Sequence, residues 1–364
     1  MAGSVVPPEK DPANFILHSE HPLTLETKRG ALGGSGIIPC ELLFVRNNLP
    51  IPEPSFVEDR DGWKLTVEGV GNPGTITVGE LKALGMESIA TVLQCSGNGR
   101  TFFQHEPSGS QWGVGAAACV VWSGVPVRRV VEALGGVVTS ARYVTGTGGE
   151  VLPEGIDPRE VVVERSIPLE KGMEDALLAW EVNGEPLPLI HGGPLRLIVP
   201  GYYGINQIKY IKRLAFTREE SDARIMRTTY RLNPIGEEAD SSQPTTWEMG
   251  VKSWINHPSG ESTVQAGEVL IDGVAFGGTR AVGRVEVSTD GGETWQDAPL
   301  VGPDLGKYAW RRFALPVTLT PGTHTLASRA TDTAGSVQPA EPVQNENGYA
   351  NTGWRAHAVT ISVS

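Results

Sequence analysis

Residues 179–214 read AWEVNGEPLPLIHGGPLRLIVPGYYGINQIKYIKRL, and the fold class of the N-terminal part depends on how this stretch is interpreted. Within it, Pro194 to Pro200 is a short apolar run between two prolines, which predicts a buried strand. A glycine-bearing loop precedes this run at His191-Gly192-Gly193, and another follows it from Gly201 to Gly204. A strand bounded by such loops, without a regular βαβ repeat around it, indicates an α+β domain.

Short elements of both kinds are predicted upstream of this stretch, which supports the same fold class. The first is a strand with Trp63, Leu65 and Val67 on one face, and it is followed by a helix that begins with a capping box at Thr77 and Glu80. A second strand is predicted from Ala90 to Leu93. Two further helices are predicted: one has Val127, Val130, Val131 and Leu134 on one face and ends at Gly135-Gly136, and the other has Met173, Leu177 and Trp180 on one face and ends at Asn183-Gly184.

The C-terminal part has a different pattern, with short strands, turns and no helix signal. Val285 and Val287 point inward in one alternating run, Asp290-Gly291-Gly292 is typical of a hairpin turn, and the last residues, 359–363, alternate strictly. This pattern predicts an all-β, immunoglobulin-like sandwich. The predicted organisation is an N-terminal arm (1–30), a catalytic domain (31–225), a connecting segment (226–258) and the sandwich (259–364).

Composition and charge exclude several classes of partner. The chain has 364 residues, with 30 Lys and Arg against 42 Asp and Glu, which gives a net charge of −12. Such a chain is a poor match for nucleic acid or for an anionic membrane. The longest small-apolar run, Gly113 to Trp122, is about half of what a bilayer requires. Because no export signal is recognisable, we expect a cytoplasmic protein, or a periplasmic one if a signal peptide was removed.

Cysteine usage offers one candidate for chemistry. Cys95 follows a predicted strand and opens the glycine-rich loop Cys95-Ser-Gly-Asn-Gly-Arg100, where a backbone can approach a ligand closely. Its thiol could be a nucleophile, a metal ligand or an inert buried group. Cys40 and Cys119 lie in apolar surroundings and are interpreted as inert. The sequence contains no zinc motif, no G-x-S-x-G and no Walker A sequence.

Basic residues beside glycine-rich loops suggest a pocket for an anion. These residues are Arg46, His191, Arg196 and Lys209. In a chain of negative net charge, they could together bind a phosphate or an oxyanion. Taken singly, each could equally be a solvated surface residue. The residues alone therefore indicate an anion-binding enzyme whose cofactor they do not identify.

Four motifs, in order, resemble the sulfite oxidase family of molybdenum enzymes. They are VRNNLPIP (45–52), TVLQCSGNGR (91–100), the stretch 179–214 quoted above, and VEVSTDGGETW (285–295). The resemblance extends from about residue 40 to the C-terminus, and it is closest to prokaryotic members that lack a haem domain. It implies an α+β molybdopterin-binding domain followed by an immunoglobulin-like domain that forms a homodimer.

The resemblance also implies roles for individual residues. Cys95 matches the cysteine whose thiolate binds molybdenum, Arg46 the arginine that faces the substrate oxyanion, and Tyr230 the active-site tyrosine. The residues that match positions contacting the pterin and its phosphate are His191, Arg196 and Lys209, with Asn47, Asn48 and Ser166 as weaker matches.

The sequence departs from the family pattern at three places. The cysteine loop is usually C-A-G-N-R-R, whereas here Ser96 and Gly99 replace an alanine and an arginine. Asn48 stands where animal members have a histidine. A further substrate-pocket arginine, which animal members contribute near residues 306–312, has no clear equivalent here, although Lys307, Arg311 and Arg312 are nearby.

The activity implied by the resemblance is oxidation of sulfite, or a similar small oxyanion, to sulfate at molybdenum. With no haem expected in this chain, electrons would pass to an external acceptor such as a cytochrome or a small molecule. Two alternatives stay open at this point. One is the same cofactor acting on nitrate, a sulfane sulfur or an S-oxide, and the other is a non-catalytic binding protein in which Cys95 is structural.

Overall fold

A computed structural model describes residues 6–260 and 263–364. The strands of the N-terminal part are β1 (Phe15–Glu20), β2 (Leu23–Thr27), β3 (Val45–Arg46), β4 (Lys64–Glu68), β5 (Gly74–Thr77), β6 (Glu87–Gln94), β7 (Ala117–Pro126), β8 (Tyr143–Thr147), β9 (Glu164–Pro168), β10 (Leu177–Val182), β11 (Glu185–Pro186), β12 (Arg196–Ile198) and β13 (Arg213–Thr217). The α-helices of this part are α1 (Val78–Ala83), α2 (Val127–Ala133), α3 (Pro158–Val161), α4 (Leu169–Asp175) and α5 (Arg224–Arg227).

These strands form three sheets. The first has the order β1-β2-β3, the second has the order β11-β10-β7-β6 with β12 also paired to β10, and the third has the order β5-β4-β13-β8-β9. All pairings are antiparallel except that of β13 with β4. Mostly antiparallel sheets with short helices between them confirm the predicted α+β class.

Several predicted elements form where their local signals place them. Helix α1 begins with the capping box, in which the Thr77 hydroxyl accepts from the Glu80 amide at 3.2 Å and the Glu80 carboxylate accepts from the Thr77 amide at 2.7 Å. In β4, Leu65 and Val67 are fully buried. Gly135, just after α2, has a φ of +85°, a conformation that favours glycine at a helix end.

The predicted helix containing Met173, Leu177 and Trp180 is wrong in its second half. The helix ends at Asp175, and Leu177–Val182 is strand β10. This strand lies between β7 and β12 and is mostly buried, so it has an apolar run instead of simple alternation. Asn183 and Gly184 both have positive φ and form the hairpin loop to β11.

Within the predicted N-terminal arm, the described residues from 15 to 27 form a paired hairpin. Strands β1 and β2 form a hairpin, and β2 pairs with β3, the strand that contains Arg46. Leu23 and Leu25 pack with Val45 and Ile190 in a small core of their own. The apolar alternation of Leu23 and Leu25 was the overlooked signal for this hairpin.

The C-terminal part is a sandwich of two sheets, ordered β14-β16-β20-β19 and β15-β22-β21-β17-β18, as predicted. Its strands are β14 (Lys252–His257), β15 (Thr263–Val264), β16 (Gly267–Phe276), β17 (Val282–Ser288), β18 (Gln296–Asp297), β19 (Leu300–Val301), β20 (Arg311–Leu319), β21 (Gly322–Asp332) and β22 (Val359–Val363), and one short helix, α6 (Trp354–His357), precedes the last strand. The sandwich begins at Lys252, inside the predicted connecting segment.

The two parts share a core. Trp254 and Trp310 of the sandwich side belong to the same buried cluster as Val92 and Trp122 of the second sheet. The Val92 amide donates to the Tyr308 carbonyl at 2.9 Å, which joins β6 directly to the C-terminal part. Strand β6 leads to Cys95, so this shared core fixes the position of the cysteine loop. No α-helix in the part of the chain described here is long and apolar enough to cross a membrane.

Candidate active site

Cys95 is the first residue after β6, at the start of a loop held by its own polar groups. The Cys95 amide donates to the Ala116 carbonyl at 2.9 Å. The Asn98 side chain donates to Gln94 at 3.1 Å and accepts from the Ala116 amide at 3.1 Å. Gly99 has a φ of +92°, and a β-carbon there would come within 3.1 Å of His357 and Asn351. The loop is therefore rigid, and the half-buried Cys95 thiol is presented at a fixed place.

A cleft lies beside this loop and brings most of the predicted residues together. Its lining includes all of the predicted site residues except Ser166, namely Arg46, Asn47, Asn48, Cys95, His191, Arg196, Lys209 and Tyr230. We call this cleft the basic cleft. Residues separated by up to 184 positions in the sequence thus converge at one site.

The basic cleft contains cations without acidic partners. The Lys209 ammonium donates to the Asn47 side chain at 2.7 Å and to the Ile190 carbonyl at 2.8 Å. The Arg196 guanidinium donates to the carbonyls of His191 and Gln207. Among the described residues, neither cation forms an ion pair with a carboxylate. Burial, followed by the charge of Arg196, lowers the pKa of Lys209 well below its usual range, and burial lowers that of Arg196 to about 10.

Two polar atoms of the basic cleft lack any hydrogen-bond partner although they are buried. They are His191 Nε2 and Gln207 Oε1. Buried polar atoms in native structures are normally hydrogen-bonded, so an orphaned pair facing a cleft indicates a missing ligand. A polar ligand with an anionic end satisfies both the orphaned atoms and the unpaired cations. The residues present therefore fit a pterin cofactor that carries a phosphate.

One carboxylate also lines the basic cleft. Burial raises the pKa of Glu150 to about 7, although Lys209 and Lys212 oppose this rise. A carboxyl group with such a pKa is about half ionised near neutral pH, so it offsets the surrounding positive charge only in part.

A second cavity meets the basic cleft at the cysteine loop. Arg46, Asn48, Cys95 and Tyr230 line both spaces. Arg100, Arg224, Asn347 and Tyr349 line the second one only. We call it the outer cavity. Cys95 therefore lies where the basic cleft and the outer cavity meet.

Asn48 connects the two residues predicted to act on the substrate. Its side-chain oxygen accepts from the Arg46 guanidinium at 3.0 Å and from the Tyr230 hydroxyl at 3.3 Å. Arg46 also donates to the Asn47 carbonyl. Tyr230 has a φ of +59°, an unusual conformation for a tyrosine and one that is often found at functional sites.

Arg100 belongs to the outer cavity, although the sequence analysis did not assign it a role. Its guanidinium donates to the carbonyls of Asn347 at 2.9 Å and Ser110 at 3.0 Å, and no carboxylate of the described residues pairs with it. Arg100 is 7% exposed. The signal was present, because Arg100 ends the loop that Cys95 begins. A second unpaired arginine makes the outer cavity suitable for an oxyanion.

Ser166 and the three basic residues near 306–312 lie outside both spaces. The Ser166 hydroxyl is hydrogen-bonded within the third sheet to Thr145 at 2.7 Å and to the Ser221 amide at 2.9 Å, so it is already satisfied there. Lys307 pairs with Glu174 and Arg311 with Asp304. Arg312 likewise does not line either space. None of Lys307, Arg311 and Arg312 lines either space, so residues 306–312 supply no arginine to them.

The other two cysteines agree with their interpretation as inert thiols. Cys119 is fully buried in β7, and burial raises the pKa of its thiol to about 12. Cys40 is half-buried, and burial likewise raises the pKa of its thiol. Neither cysteine lines the basic cleft or the outer cavity.

Comparison with known proteins identifies the class of this site. Residues 49–225 match the oxidoreductase molybdopterin binding domain, and residues 243–364 match the Mo-co oxidoreductase dimerisation domain. The mitochondrial sulfite oxidase of Homo sapiens is 34% identical, over 98% of this chain and 67% of that protein. The sulfite oxidase of Arabidopsis thaliana is 30% identical, over 93% of this chain and 92% of that protein.

A solved structure leads to the same class. The sulfane dehydrogenase SoxCD of Paracoccus pantotrophus has a TM-score of 0.79 with this chain, 28% identity, and coverage of 95% of this chain and 88% of that chain. The protein is therefore a molybdopterin-binding oxidoreductase with a C-terminal dimerisation domain. More specifically, the chain belongs to the sulfite oxidase family.

We expect inorganic phosphate to stabilise the cofactor-free protein, because it can pair with the cations of the basic cleft. The melting temperature should rise by about 2–4 °C for each kcal/mol by which bound phosphate stabilises the folded protein. Differential scanning calorimetry with and without phosphate checks this. Lys209→Met should remove most of the rise, whereas Lys64→Met, at an exposed position of β4, should keep it. An equal rise in Lys209→Met would contradict the assignment of the cleft.

The stability of the cofactor-free protein should also depend on pH through Lys209. Its pKa is lower in the folded protein than in the unfolded chain, so the unfolded state binds more protons between the two values. The free energy of unfolding therefore increases as the pH rises from the lowered pKa of Lys209 in the folded protein towards about 10.4, the usual pKa of a lysine side chain. Part of this increase should disappear in Lys209→Met and when phosphate is bound.

Proposed function

We propose that the protein oxidises sulfite to sulfate and passes the electrons to an external acceptor. Sulfite and water give sulfate, two protons and two electrons, so the reaction needs an oxidant and an anion-binding site. The observation that carries the proposal is the position of Cys95, between the basic cleft and an outer cavity in which Arg46 and Arg100 have no carboxylate partner among the described residues, whereas Arg224 pairs there with Glu160.

The residues of the basic cleft would hold the cofactor. The Cys95 thiolate would bind molybdenum, since a soft sulfur ligand suits this metal. His191, Arg196 and Lys209 would bind the pterin and its phosphate, with Asn47 keeping the Lys209 ammonium in place. When bound, the molybdenum centre supplies the oxygen-transfer and two-electron chemistry that amino-acid side chains cannot provide.

The residues of the outer cavity would bind the substrate. Arg46 and Arg100 present guanidinium groups that have no carboxylate partner among the described residues, and each can donate to the oxygens of a small oxyanion. Burial raises the pKa of Tyr230, so its phenol stays protonated and can donate a hydrogen bond. Asn48 fixes Arg46 and Tyr230 relative to each other, and this preorganisation favours the transition state over free substrate.

A sulfane sulfur is the second candidate substrate. It is favoured by the structural similarity to the sulfane dehydrogenase SoxCD over 95% of this chain. Steady-state kinetics of molybdenum-loaded protein with sulfite, thiosulfate and nitrate, each with the same artificial electron acceptor, separate the candidates. We expect the highest kcat/KM with sulfite. A higher value with thiosulfate or nitrate would overturn the choice of substrate while leaving the family unchanged.

The dimerisation domain supports a homodimer, and we expect the full chain to form one in solution. Size-exclusion chromatography with light scattering should give twice the chain mass of 38.8 kDa at micromolar concentration. A stable interface of this kind buries about 1,600 Å² or more, enough to persist on dilution. A mass equal to one chain would contradict this expectation.

A further inference from the structure

Tyr349 lies in the outer cavity although it comes from the C-terminal part of the chain. It stands between β21 and α6 and lines the outer cavity together with Arg46, Arg100 and Tyr230. It is 7% exposed. The mechanism described above does not use it, and no motif in the sequence analysis pointed to it.

The segment around Tyr349 is firmly attached to the cysteine loop. The Asn345 side chain donates to the Tyr349 carbonyl and accepts from the Tyr349 amide, both at 2.9 Å. The next amide, that of Ala350, donates to the Ser96 carbonyl at 2.8 Å. Ser96 directly follows Cys95. The backbone of Tyr349 is therefore fixed relative to the proposed metal ligand.

The ring of Tyr349 belongs to a buried stack. Its centroid lies 5.1 Å from that of Tyr230, and the two ring planes are inclined by only 19°. The Arg100 guanidinium lies 5.2 Å from the Tyr349 ring centroid, and the Arg165 guanidinium lies 5.9 Å from that of Tyr230. Two cations thus enclose two stacked phenols. Such contacts hold both rings in one orientation and leave their side chains little conformational freedom.

The hydroxyl group of Tyr349 is available to a ligand. No hydrogen bond within residues 6–260 and 263–364 uses it, whereas the Tyr230 hydroxyl donates to Asn48. Burial raises the pKa of Tyr349, so the phenol stays neutral and keeps its proton. A fixed phenol whose hydroxyl bonds to no acceptor of the described residues, in a cavity that also holds Arg46 and Arg100, can donate a hydrogen bond to a ligand there.

We propose that Tyr349 is a second substrate-binding phenol, whose hydroxyl donates a hydrogen bond to the oxyanion bound in the outer cavity. This inference rests on the proposed function, because it assumes that an oxyanion enters that cavity. It gives the C-terminal domain a part in substrate binding besides dimerisation. The oxyanion would then be held by two arginines and two tyrosines contributed by both domains.

The test is Tyr349→Phe in the molybdenum-loaded protein, because phenylalanine keeps the ring stack and removes only the hydroxyl. A hydrogen bond to a charged oxygen is worth about ten- to a hundredfold in affinity. We therefore expect the KM for sulfite to rise about tenfold or more, with a smaller change in kcat. Calorimetric titration with sulfate, which is not turned over, should show the same loss of affinity.

Tyr143→Phe is the matched control, since Tyr143 lies in β8 and lines neither the basic cleft nor the outer cavity. It should leave the KM and the sulfate affinity unchanged. Molybdenum content and melting temperature of both variants establish that the cofactor and the fold are retained. Unchanged sulfate affinity in a loaded Tyr349→Phe protein would overturn the inference. Wild-type protein that binds sulfate but does not oxidise sulfite would overturn the proposed function instead, while the sulfate titration would still decide the role of Tyr349.

Discussion

Cys95→Ser is expected to abolish sulfite turnover while the fold survives. Replacing even residues that only support a metal ligand commonly costs 10- to 100-fold in activity, so loss of the ligand itself should cost more than about 100-fold. Serine is a harder and less electron-donating ligand than thiolate. The loop should persist, because it is held by backbone groups and by Asn98 and not by the thiol.

Steady-state turnover per bound molybdenum checks this prediction, together with the melting temperature of each variant. Cys40→Ser is the matched control, since Cys40 is also half-buried but lies outside both spaces. It should retain the activity. If Cys95→Ser oxidised sulfite at a rate close to that of the wild type at equal metal loading, Cys95 would not be the ligand.

Arg46→Gln has the second largest expected effect. The change removes a charge that faces the oxyanion but keeps a side chain able to donate a hydrogen bond. The cost in transition-state stabilisation should be about 2–4 kcal/mol, which corresponds to a fall of roughly 30- to 1,000-fold in kcat/KM. Both KM and kcat should change, because Arg46 meets the anion before and during the reaction.

The control for Arg46→Gln is Arg218→Gln. The Arg218 side chain is 76% exposed, so it is not placed to contact a buried anion. Its kinetics should equal those of the wild type. A fully loaded Arg46→Gln enzyme with unchanged kinetics would place Arg46 outside the substrate site, despite its position in the lining of both spaces.

Much of the fold could be predicted because its signals are local. The capping box at Thr77, the alternation in β4 and the alternating last strand each depend on neighbouring residues only. Strand β10 could not be separated from a helix, since a buried strand and a buried helix both give a short apolar run. Leu177–Val182 became a strand because β7 and β12 lie on either side of it.

The candidate site was predictable to the extent that motifs marked it. Cys95, Arg46 and Lys209 stand in stretches with a recognisable pattern, and the structure brings them to one place. Tyr349 carries no such pattern and reaches the outer cavity only because the two domains pack together. Ser166 fits the family position by sequence, but its hydroxyl is engaged by Thr145 and Ser221. Convergence in space depends on long-range packing that a single sequence does not display.

The most direct test of the central claim, that this chain oxidises sulfite at a molybdenum centre held by Cys95, is a single-turnover measurement. Molybdenum-loaded protein is mixed anaerobically with excess sulfite and no electron acceptor, and the sulfate formed is measured per molybdenum. The account predicts about one sulfate per molybdenum in the wild type, because each centre accepts one electron pair. Fully loaded wild-type protein that forms no sulfate would contradict it.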